Sequence, residues 1–212
     1  MTRTVAYTSA IAIAALLAGT AYFAFGPSAE KQLAGCSQAA VAGGAIGGPF
    51  ELVSEDGIPM TDVDLFTKPT ILYFGYTFCP DVCPLDNMRN ADAQRILDEK
   101  GYDVQTAFIT IDPERDTPEV MKEFTSLFHD NMIGLTGTPE QVKAASKAYK
   151  TYYQKQVDGD PEYYLMDHST QTYFVMPERG FVDCFKRDAP SEKIAYTRQK
   201  KWPILSPVSL TP

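Results

Sequence analysis

The chain has 212 residues, and its 27 acidic residues outnumber its 19 basic residues, which gives a formal net charge of −8. This composition is ordinary for a globular protein and excludes the fibrous and disordered classes. An acidic chain without a long basic run is a poor candidate for nucleic-acid binding, so we expect no nucleic-acid partner. The length allows one sizeable domain and a shorter additional segment.

The N-terminal segment, residues 1–25, is predicted to be a membrane anchor. Val5 to Phe25 carries no charged side chain, and a helix of this length spans about 30 Å, the thickness of the hydrocarbon core. A cleaved signal peptide is the alternative, but its apolar core is usually only about 7–15 residues long. Arg3 precedes the apolar run, so the positive-inside rule places the following domain outside the cytoplasm. We therefore expect a single-pass protein of the bacterial inner membrane whose soluble domain lies in the periplasm.

Residues 26–48 are rich in Gly, Ala and Ser and are predicted to form a flexible linker. Leu33 to Cys36 resembles a lipoprotein cleavage box, but polar residues separate it from the apolar run. An incidental cysteine in a linker is therefore the preferred interpretation. The main domain is predicted to cover residues 49–202, and the Pro-rich residues 203–212 are predicted to form an extended tail.

Within the domain, apolar runs and helix-capping residues predict strands that alternate with helices. In chain order, the predicted strands are Phe50–Val53, Thr70–Gly75, Val104–Ile111, Tyr163–Met166, Thr172–Met176 and Gly180–Phe185. The predicted helices are Leu85–Lys100, a helix opened by Thr117-Pro118, Val142–Tyr153 after Thr138-Pro139, and Ser191–Lys201. This order is typical of an α/β, thioredoxin-like domain, in which helices flank a central mixed sheet.

Cys79 and Cys83 follow a strongly apolar predicted strand, four positions apart, in the segment Cys-Pro-Asp-Val-Cys-Pro. This spacing can bring both sulfurs to one face of the first turn of a helix, where the helix N-terminus favours the thiolate form. A static disulfide is the alternative, but a loop this short constrains the unfolded chain comparatively little. We therefore predict a pair that exchanges electrons or binds a soft metal.

Two thiolates rarely complete a metal site, and the chain has only two histidines that could add a soft third ligand. His129 is predicted to lie near a helix end, where the helix dipole favours a structural role. His168 lies between two predicted strands, in a segment that a thioredoxin-like domain can fold against the thiols. For His168 a ligand role and a structural role are equally favoured. Two thiolates and one imidazole select Cu(I) and also accept Cu(II), whereas zinc would require a fourth ligand and an iron–sulfur cluster more cysteines.

At these residues the chain resembles the Sco/SenC family, which are membrane-anchored copper chaperones for cytochrome c oxidase. The resemblance covers residues 49–200 and rests on three stretches in the family's order: Tyr73–Pro84, Thr110–Glu119 and Asp167–Ser169. The second stretch contains Asp-Pro-Glu-Arg-Asp, which has no ligand role. Its residues predict a strand end, a tight turn and a helix cap, with Arg115 paired to nearby carboxylates.

The resemblance implies a thioredoxin fold and one copper ion per chain, bound by Cys79, Cys83 and His168. It also implies delivery of that copper to the copper A centre of cytochrome c oxidase subunit II, the expected partner. A second periplasmic chaperone is the expected copper donor. Carboxylates such as Asp81 or Asp167 are expected at the surface or behind the ligands, where one of them can orient the imidazole.

An enzymatic alternative stays open at this stage. Cys79 and Cys83 can also serve as a thiol–disulfide oxidoreductase that reduces the cysteines of the copper A site before metal loading. Two features weigh against a general oxidoreductase: the three-residue gap between the thiols, and a histidine that thiol exchange does not need. Cys184 and Cys36 are not family ligands; Cys184 is predicted to be a small core residue, and extra disulfide chemistry stays open.

Overall fold

The computed structural model describes residues 46–156 and 163–201 of the chain. The predicted anchor, the linker up to residue 45 and the predicted tail lie outside this range, so the expectations for those segments stay predictions. Among the described residues, no helix combines the length and the apolar character that a membrane crossing requires.

The strands of the described residues form two sheets. In chain order they are β1 (Glu51–Ser54), β2 (Pro59–Thr61), β3 (Thr70–Gly75), β4 (Gln105–Thr110), β5 (Met132–Thr136), β6 (Tyr153–Lys155), β7 (Met166–His168), β8 (Thr172–Met176) and β9 (Gly180–Phe185). Seven of them form one mixed sheet in the order β2-β1-β5-β4-β3-β8-β9, while β6 and β7 pair separately. β3, β4 and β5 run parallel, and the outer strands join them in antiparallel pairs.

The central strands β3 and β4 are buried along their whole length, and this burial explains why the sequence of β3 is a nearly continuous apolar run. The helices of the described residues are α1 (Asp62–Leu65), α2 (Val82–Asp98), α3 (Pro118–Ser126), α4 (Pro139–Ala148) and α5 (Ser191–Lys201). Thr117 and Thr138 cap α3 and α4 as predicted, because each hydroxyl accepts a backbone N–H of the first turn. This arrangement confirms the mixed α/β, thioredoxin-like fold.

Several predicted elements keep their bounds, and others require correction. The strands at Thr70–Gly75, Thr172–Met176 and Gly180–Phe185 and the helix Ser191–Lys201 have the predicted bounds. The helix predicted over Val142–Tyr153 begins earlier and ends at Ala148, because Lys150 has a positive φ of 55° and Tyr153 begins β6.

Two corrections concern the predicted site. α2 begins at Val82 rather than at Leu85, so Cys83 lies inside the helix and Cys79 lies in the loop before it. The strand predicted over Tyr163–Met166 is shifted to β7, which places His168 at a strand end. The two shifts place Cys83 on a helix and His168 on a strand.

Cys184 lies in β9 and is 9% exposed, which confirms the prediction that it is a core residue. It is disulfide-bonded, however, so it is not a small free thiol. Cys79 and Cys83 are both free thiols. The disulfide chemistry that the sequence left open is therefore separate from the thiol pair.

Candidate metal centre

The two thiols lie where β3 passes into α2. Cys79 is in the connecting loop and is 7% exposed, whereas Cys83 is in the first turn of the helix and is fully buried. The backbone N–H of Cys83 donates to the Cys79 sulfur at 3.4 Å. The N-terminal turn of α2 thus directs a hydrogen-bond donor at the more accessible sulfur, as expected for a helix start that stabilises a thiolate.

The imidazole of His168 reaches the thiols from the separate hairpin of β6 and β7. Its Nε2 lies 3.4 Å from the Cys83 sulfur, and its Nδ1 lies 2.9 Å from the carbonyl oxygen of Ser169. A carbonyl oxygen only accepts, so Nδ1 carries a proton and Nε2 is the nitrogen that faces the sulfurs. A backbone carbonyl therefore orients the ring instead of the carboxylate that the sequence suggested. Asp167 is exposed and accepts a hydrogen bond from Gln156.

Three soft donor atoms converge at this point. The two sulfurs and one imidazole nitrogen, from Cys79, Cys83 and His168, all lie within 4.8 Å of one another. His129 is not in this group, because its Nε2 lies 3.4 Å from Asp98 and its Nδ1 accepts the N–H of Asn131. The arrangement can hold one soft metal ion in a three-coordinate site without rearrangement of the main sheet.

The pKa values of the two thiols shift in opposite directions. The hydrogen bond from Cys83, followed by contacts with His168 and the backbone amides, lowers the pKa of Cys79 against the opposing effect of burial. The same hydrogen bond together with burial raises the pKa of Cys83. The first thiolate of the reduced protein is therefore Cys79, the sulfur closer to solvent, and Cys83 keeps its proton.

We expect the difference in protonation between Cys79 and Cys83 to be visible when the reduced protein is alkylated. Below its pKa of about 8.5, an ordinary thiol reacts roughly tenfold faster for each pH unit gained, because only the thiolate is the nucleophile. Cys79 is already a thiolate, so its reaction rate with iodoacetamide should change little between about pH 6 and 8. Peptide mass spectrometry measures the rate at each cysteine.

The control for this experiment is Cys83→Ala, which removes the thiol that donates to Cys79. In this variant the rate at which iodoacetamide alkylates Cys79 should rise clearly with pH, as it does for an ordinary thiol. An ordinary tenfold rise per pH unit in the unmodified sequence would contradict the assignment of the first thiolate.

A buried carboxylate supports the thiol loop, and the sequence did not identify this role. Asp116 has no exposed surface, and it accepts hydrogen bonds from the backbone N–H and the hydroxyl of Thr77, at 3.1 and 2.6 Å. The hydroxyl of Thr110, at the end of β4, also donates to it. Thr77 lies two residues before Cys79, so Asp116 fixes the entry to the thiol loop. Its only sequence signal was its place in the Asp-Pro-Glu-Arg-Asp segment.

A second buried polar group lies beneath the thiols. The hydroxyl of Tyr73 donates to Asp86 on α2 at 2.9 Å, and Asp86 is also 3.4 Å from the guanidinium of Arg89. Burial raises the pKa of Tyr73, so its hydroxyl stays protonated and donates to the carboxylate. Four of the eight buried residues of α2 are polar, whereas Met88 on the same helix is 47% exposed.

Gly75, the last residue of β3, allows the Cys83 sulfur to approach the strand. A Cβ at this position would lie 2.8 Å from that sulfur and 2.9 Å from ring atoms of Phe108 and Tyr73. We expect Gly75→Ala to destabilise the fold by about 1–3 kcal/mol, as overpacking does, and to weaken copper binding by displacing the sulfur. Urea unfolding and copper titration measure the two effects.

The matched control is Gly48→Ala, whose Cβ would meet only Ala148, at an ordinary 3.6 Å. This variant should change neither stability nor copper binding by a measurable amount. If the two alanine variants had the same stability and the same copper affinity, the absence of a side chain at Gly75 would not be required.

Comparison with known proteins gives a consistent result. The family model described as SCO1/SenC matches residues 38–202. Protein SenC of Rhodobacter capsulatus is 47% identical over 194 residues, which cover 91% of this chain and 87% of that protein.

Two solved structures are similar over the same domain. The crystal structure of Arabidopsis thaliana ScoI with copper bound has a TM-score of 0.69 and 41% identity, covering 74% of this chain and 97% of that one. The structure of Bradyrhizobium japonicum ScoI with copper bound has a TM-score of 0.65 and 37% identity, covering 74% and 99%. The extent of the family match and the identity to SenC show that this chain belongs to the SCO1/SenC family.

Proposed function

We propose that this chain is a copper chaperone that binds one copper ion through Cys79, Cys83 and His168. The observation that carries the proposal is the approach of two sulfurs and one imidazole nitrogen to within 4.8 Å. Two thiolates and an imidazole form the soft donor set that suits Cu(I) and also accepts Cu(II). The copper-bound structures of the Arabidopsis and Bradyrhizobium relatives support the same cargo.

The copper acceptor in this proposal is the copper A centre of cytochrome c oxidase subunit II, as the family membership suggests. Cys79 is the more accessible of the two sulfurs and carries the first thiolate, so it is the ligand that an incoming thiol of the acceptor meets first. Transfer then proceeds by stepwise ligand exchange, in which each ligand of the chain is replaced by one of the acceptor. Another periplasmic chaperone supplies the copper.

The proposal includes a membrane location. Residues 1–25 form a single-pass anchor in the bacterial inner membrane, and residues 26–48 are the linker that holds the domain in the periplasm. The metal-binding domain covers residues 49–202 and is followed by the short tail, 203–212. A tethered domain of this kind searches the membrane surface for an acceptor that is itself anchored nearby.

The alternative of a thiol–disulfide oxidoreductase is not favoured. Thiol exchange needs only the two cysteines, whereas here an imidazole nitrogen is also held 3.4 Å from the Cys83 sulfur.

The proposal is tested with the reduced full-length chain and a reduced, copper-free copper A domain of oxidase subunit II. We expect the chain to bind one copper ion with a thiolate-to-Cu(II) absorption band. On mixing, copper should move from the chain to the acceptor, which metal analysis of the two separated proteins measures. The control is the double variant Cys79→Ser, Cys83→Ser, which lacks both soft ligands. Acceptor loading that is as fast with this variant as with the unmodified chain would contradict the proposal.

A further inference from the structure

The histidine of the candidate site is carried by an element that the main sheet does not hold. β6 and β7 pair only with each other, in the register that joins Tyr153 to His168 and Lys155 to Met166. An isolated two-stranded hairpin is only marginally stable in water. The position of His168 therefore depends on the side-chain contacts that attach this hairpin to the rest of the domain.

One cation touches both segments that supply the donor atoms. The guanidinium carbon of Arg115 lies 3.6 Å from the ring centre of Tyr164, which precedes β7 by two residues. The same atom lies 4.7 Å from the ring of Phe78 and 5.9 Å from the ring of Tyr76, both in the turn that leads to Cys79. Arg115 thus packs between the hairpin and the thiol loop, and cation–π attraction favours this packing on each side.

The carboxylate of Asp112 completes the connection. One of its oxygens accepts from the Nε of Arg115 at 2.6 Å, and the other accepts from the hydroxyl of Tyr164 at 2.7 Å. Asp112 is 3% exposed and the Arg115 side chain 13% exposed, so solvent screens these contacts weakly. Among the described residues, the buried Nη2 of Arg115 has no hydrogen-bond partner. Its charge is therefore balanced by the carboxylate and the aromatic rings.

A neighbouring contact ties the thiol loop directly to β7. The hydroxyl of Tyr76 accepts the backbone N–H of Met166 at 3.2 Å, and its ring meets the imidazole of His168 edge-on, with 5.8 Å between ring centres. Tyr76 also lies beside Arg115. A shift of the guanidinium would therefore disturb the hydrogen bond by which Tyr76 fixes β7 against the loop.

We infer that Arg115 is a positioning residue for His168. It holds the β6–β7 hairpin against the thiol loop and thereby keeps the imidazole next to the two sulfurs. The inference rests on the proposed function, in which His168 is a copper ligand. It gives a role to the Asp-Pro-Glu-Arg-Asp segment, whose first aspartate and arginine attach the hairpin and whose last aspartate fixes the thiol loop at Thr77.

Two experiments test the inference. A double-mutant cycle measures copper affinity, and amide hydrogen exchange is measured in the copper-free protein. Arg115→Met keeps an unbranched apolar stem and removes the charged, planar guanidinium group. Copper affinity should fall about tenfold, the lower end of the range for residues that orient a ligand, and the fall should vanish in the His168→Ala background. In the copper-free reduced protein, the amides of the hairpin, including Met166, should exchange with deuterium faster, while those of β3 and β4 should not change.

The matched control is Arg95→Met. Arg95 also pairs at 2.6 Å with an aspartate three residues before it, Asp92, but the pair lies on α2. The variant Arg95→Met should change neither the amide hydrogen exchange of the hairpin nor the copper affinity. If Arg115→Met does not fold, Tyr164→Phe replaces it, because this variant removes only the hydroxyl that donates to Asp112. The amides of the hairpin should exchange faster in this variant as well.

Two results would overturn the inference: unchanged hairpin exchange in the variants, or an equal loss of copper affinity with and without His168. Failure of the proposed function would look different. His168→Ala would then leave copper affinity unchanged, while the exchange result in the copper-free protein would still decide the role of Arg115.

Discussion

Replacement of His168 by alanine is expected to weaken copper binding more than about 100-fold. Loss of a residue that only orients a ligand typically costs about 10–100-fold in metal affinity, and the loss of a direct ligand should exceed that range. Binding should not disappear, because two thiolates can still hold Cu(I) alone. For Cu(II), which prefers more ligands, the thiolate charge-transfer band should also shift or vanish. Competition titration with a copper chelator measures the affinity, and absorption spectroscopy follows the band.

The control for this prediction is His129→Ala, which removes the other histidine of the chain. His129 contacts Asp98 and Asn131 and takes no part in the cluster of donor atoms. This variant should bind copper with unchanged affinity and an unchanged spectrum. If His168→Ala retained full affinity, the ligand assignment would be wrong, and the two thiolates alone would have to account for copper binding.

The donor set could be predicted from the sequence, but its assembly could not. A thiol pair after a buried strand restricts the chemistry to redox exchange or soft-metal binding, and the resemblance then adds His168. Contact between Cys83 and His168, however, joins residues 85 positions apart, and local patterns carry no information on such a contact. His168 is held in a β6–β7 pair that was not predicted, since a helix was predicted where β6 begins.

The parts of the fold that were missed have identifiable physical causes. β5 was not predicted, since Gly134 interrupts its apolar run, and a glycine inside a strand usually weakens it. Here the missing side chain is required, because a Cβ would lie 2.7 Å from the Glu55 carboxylate that accepts the N–H of Gly134. The helix α2 was predicted to begin at Leu85 but begins at Val82, because proline, here Pro84, is tolerated within a first helical turn.

The polar support of the site was also invisible to a reading based on apolar periodicity. Asp86, Asn87, Asn90 and Gln94 occupy buried positions of α2 that such a reading assigns to hydrophobic residues. Each of these side chains makes at least one hydrogen bond, and the partners of Asp86, Asn90 and Gln94 include hydroxyls on distant strands. Asp86 and Asn87 lie about one turn from Cys83, so part of this polar support lies next to a candidate ligand.

Asp116 is the residue of this support whose removal should have the largest effect on stability. Asp116→Ala would remove the acceptor of the half-buried N–H and hydroxyl of Thr77 and of the buried hydroxyl of Thr110, and each unpaired buried donor costs about 1–3 kcal/mol. Burial raises the pKa of Asp116, so part of the gain from these bonds already offsets the desolvation of the carboxylate. We therefore expect the free energy of unfolding to fall by about 3 kcal/mol, the summed cost of the unpaired donors reduced by this offset. In a chain of this size, such a loss lowers Tm by roughly 6–12 °C.

Calorimetry of the copper-free reduced protein measures this change, and Asp92→Ala is its control. Asp92 also accepts from a neighbouring side chain, at 2.6 Å from Arg95, but it is 50% exposed, and such surface pairs contribute only about 0–1 kcal/mol. Since Thr77 leads directly into the thiol loop, Asp116→Ala should also weaken copper binding at temperatures where the variant is folded. A Tm unchanged within about 2 °C would mean that water replaces the carboxylate as acceptor, and that the thiol loop does not depend on Asp116.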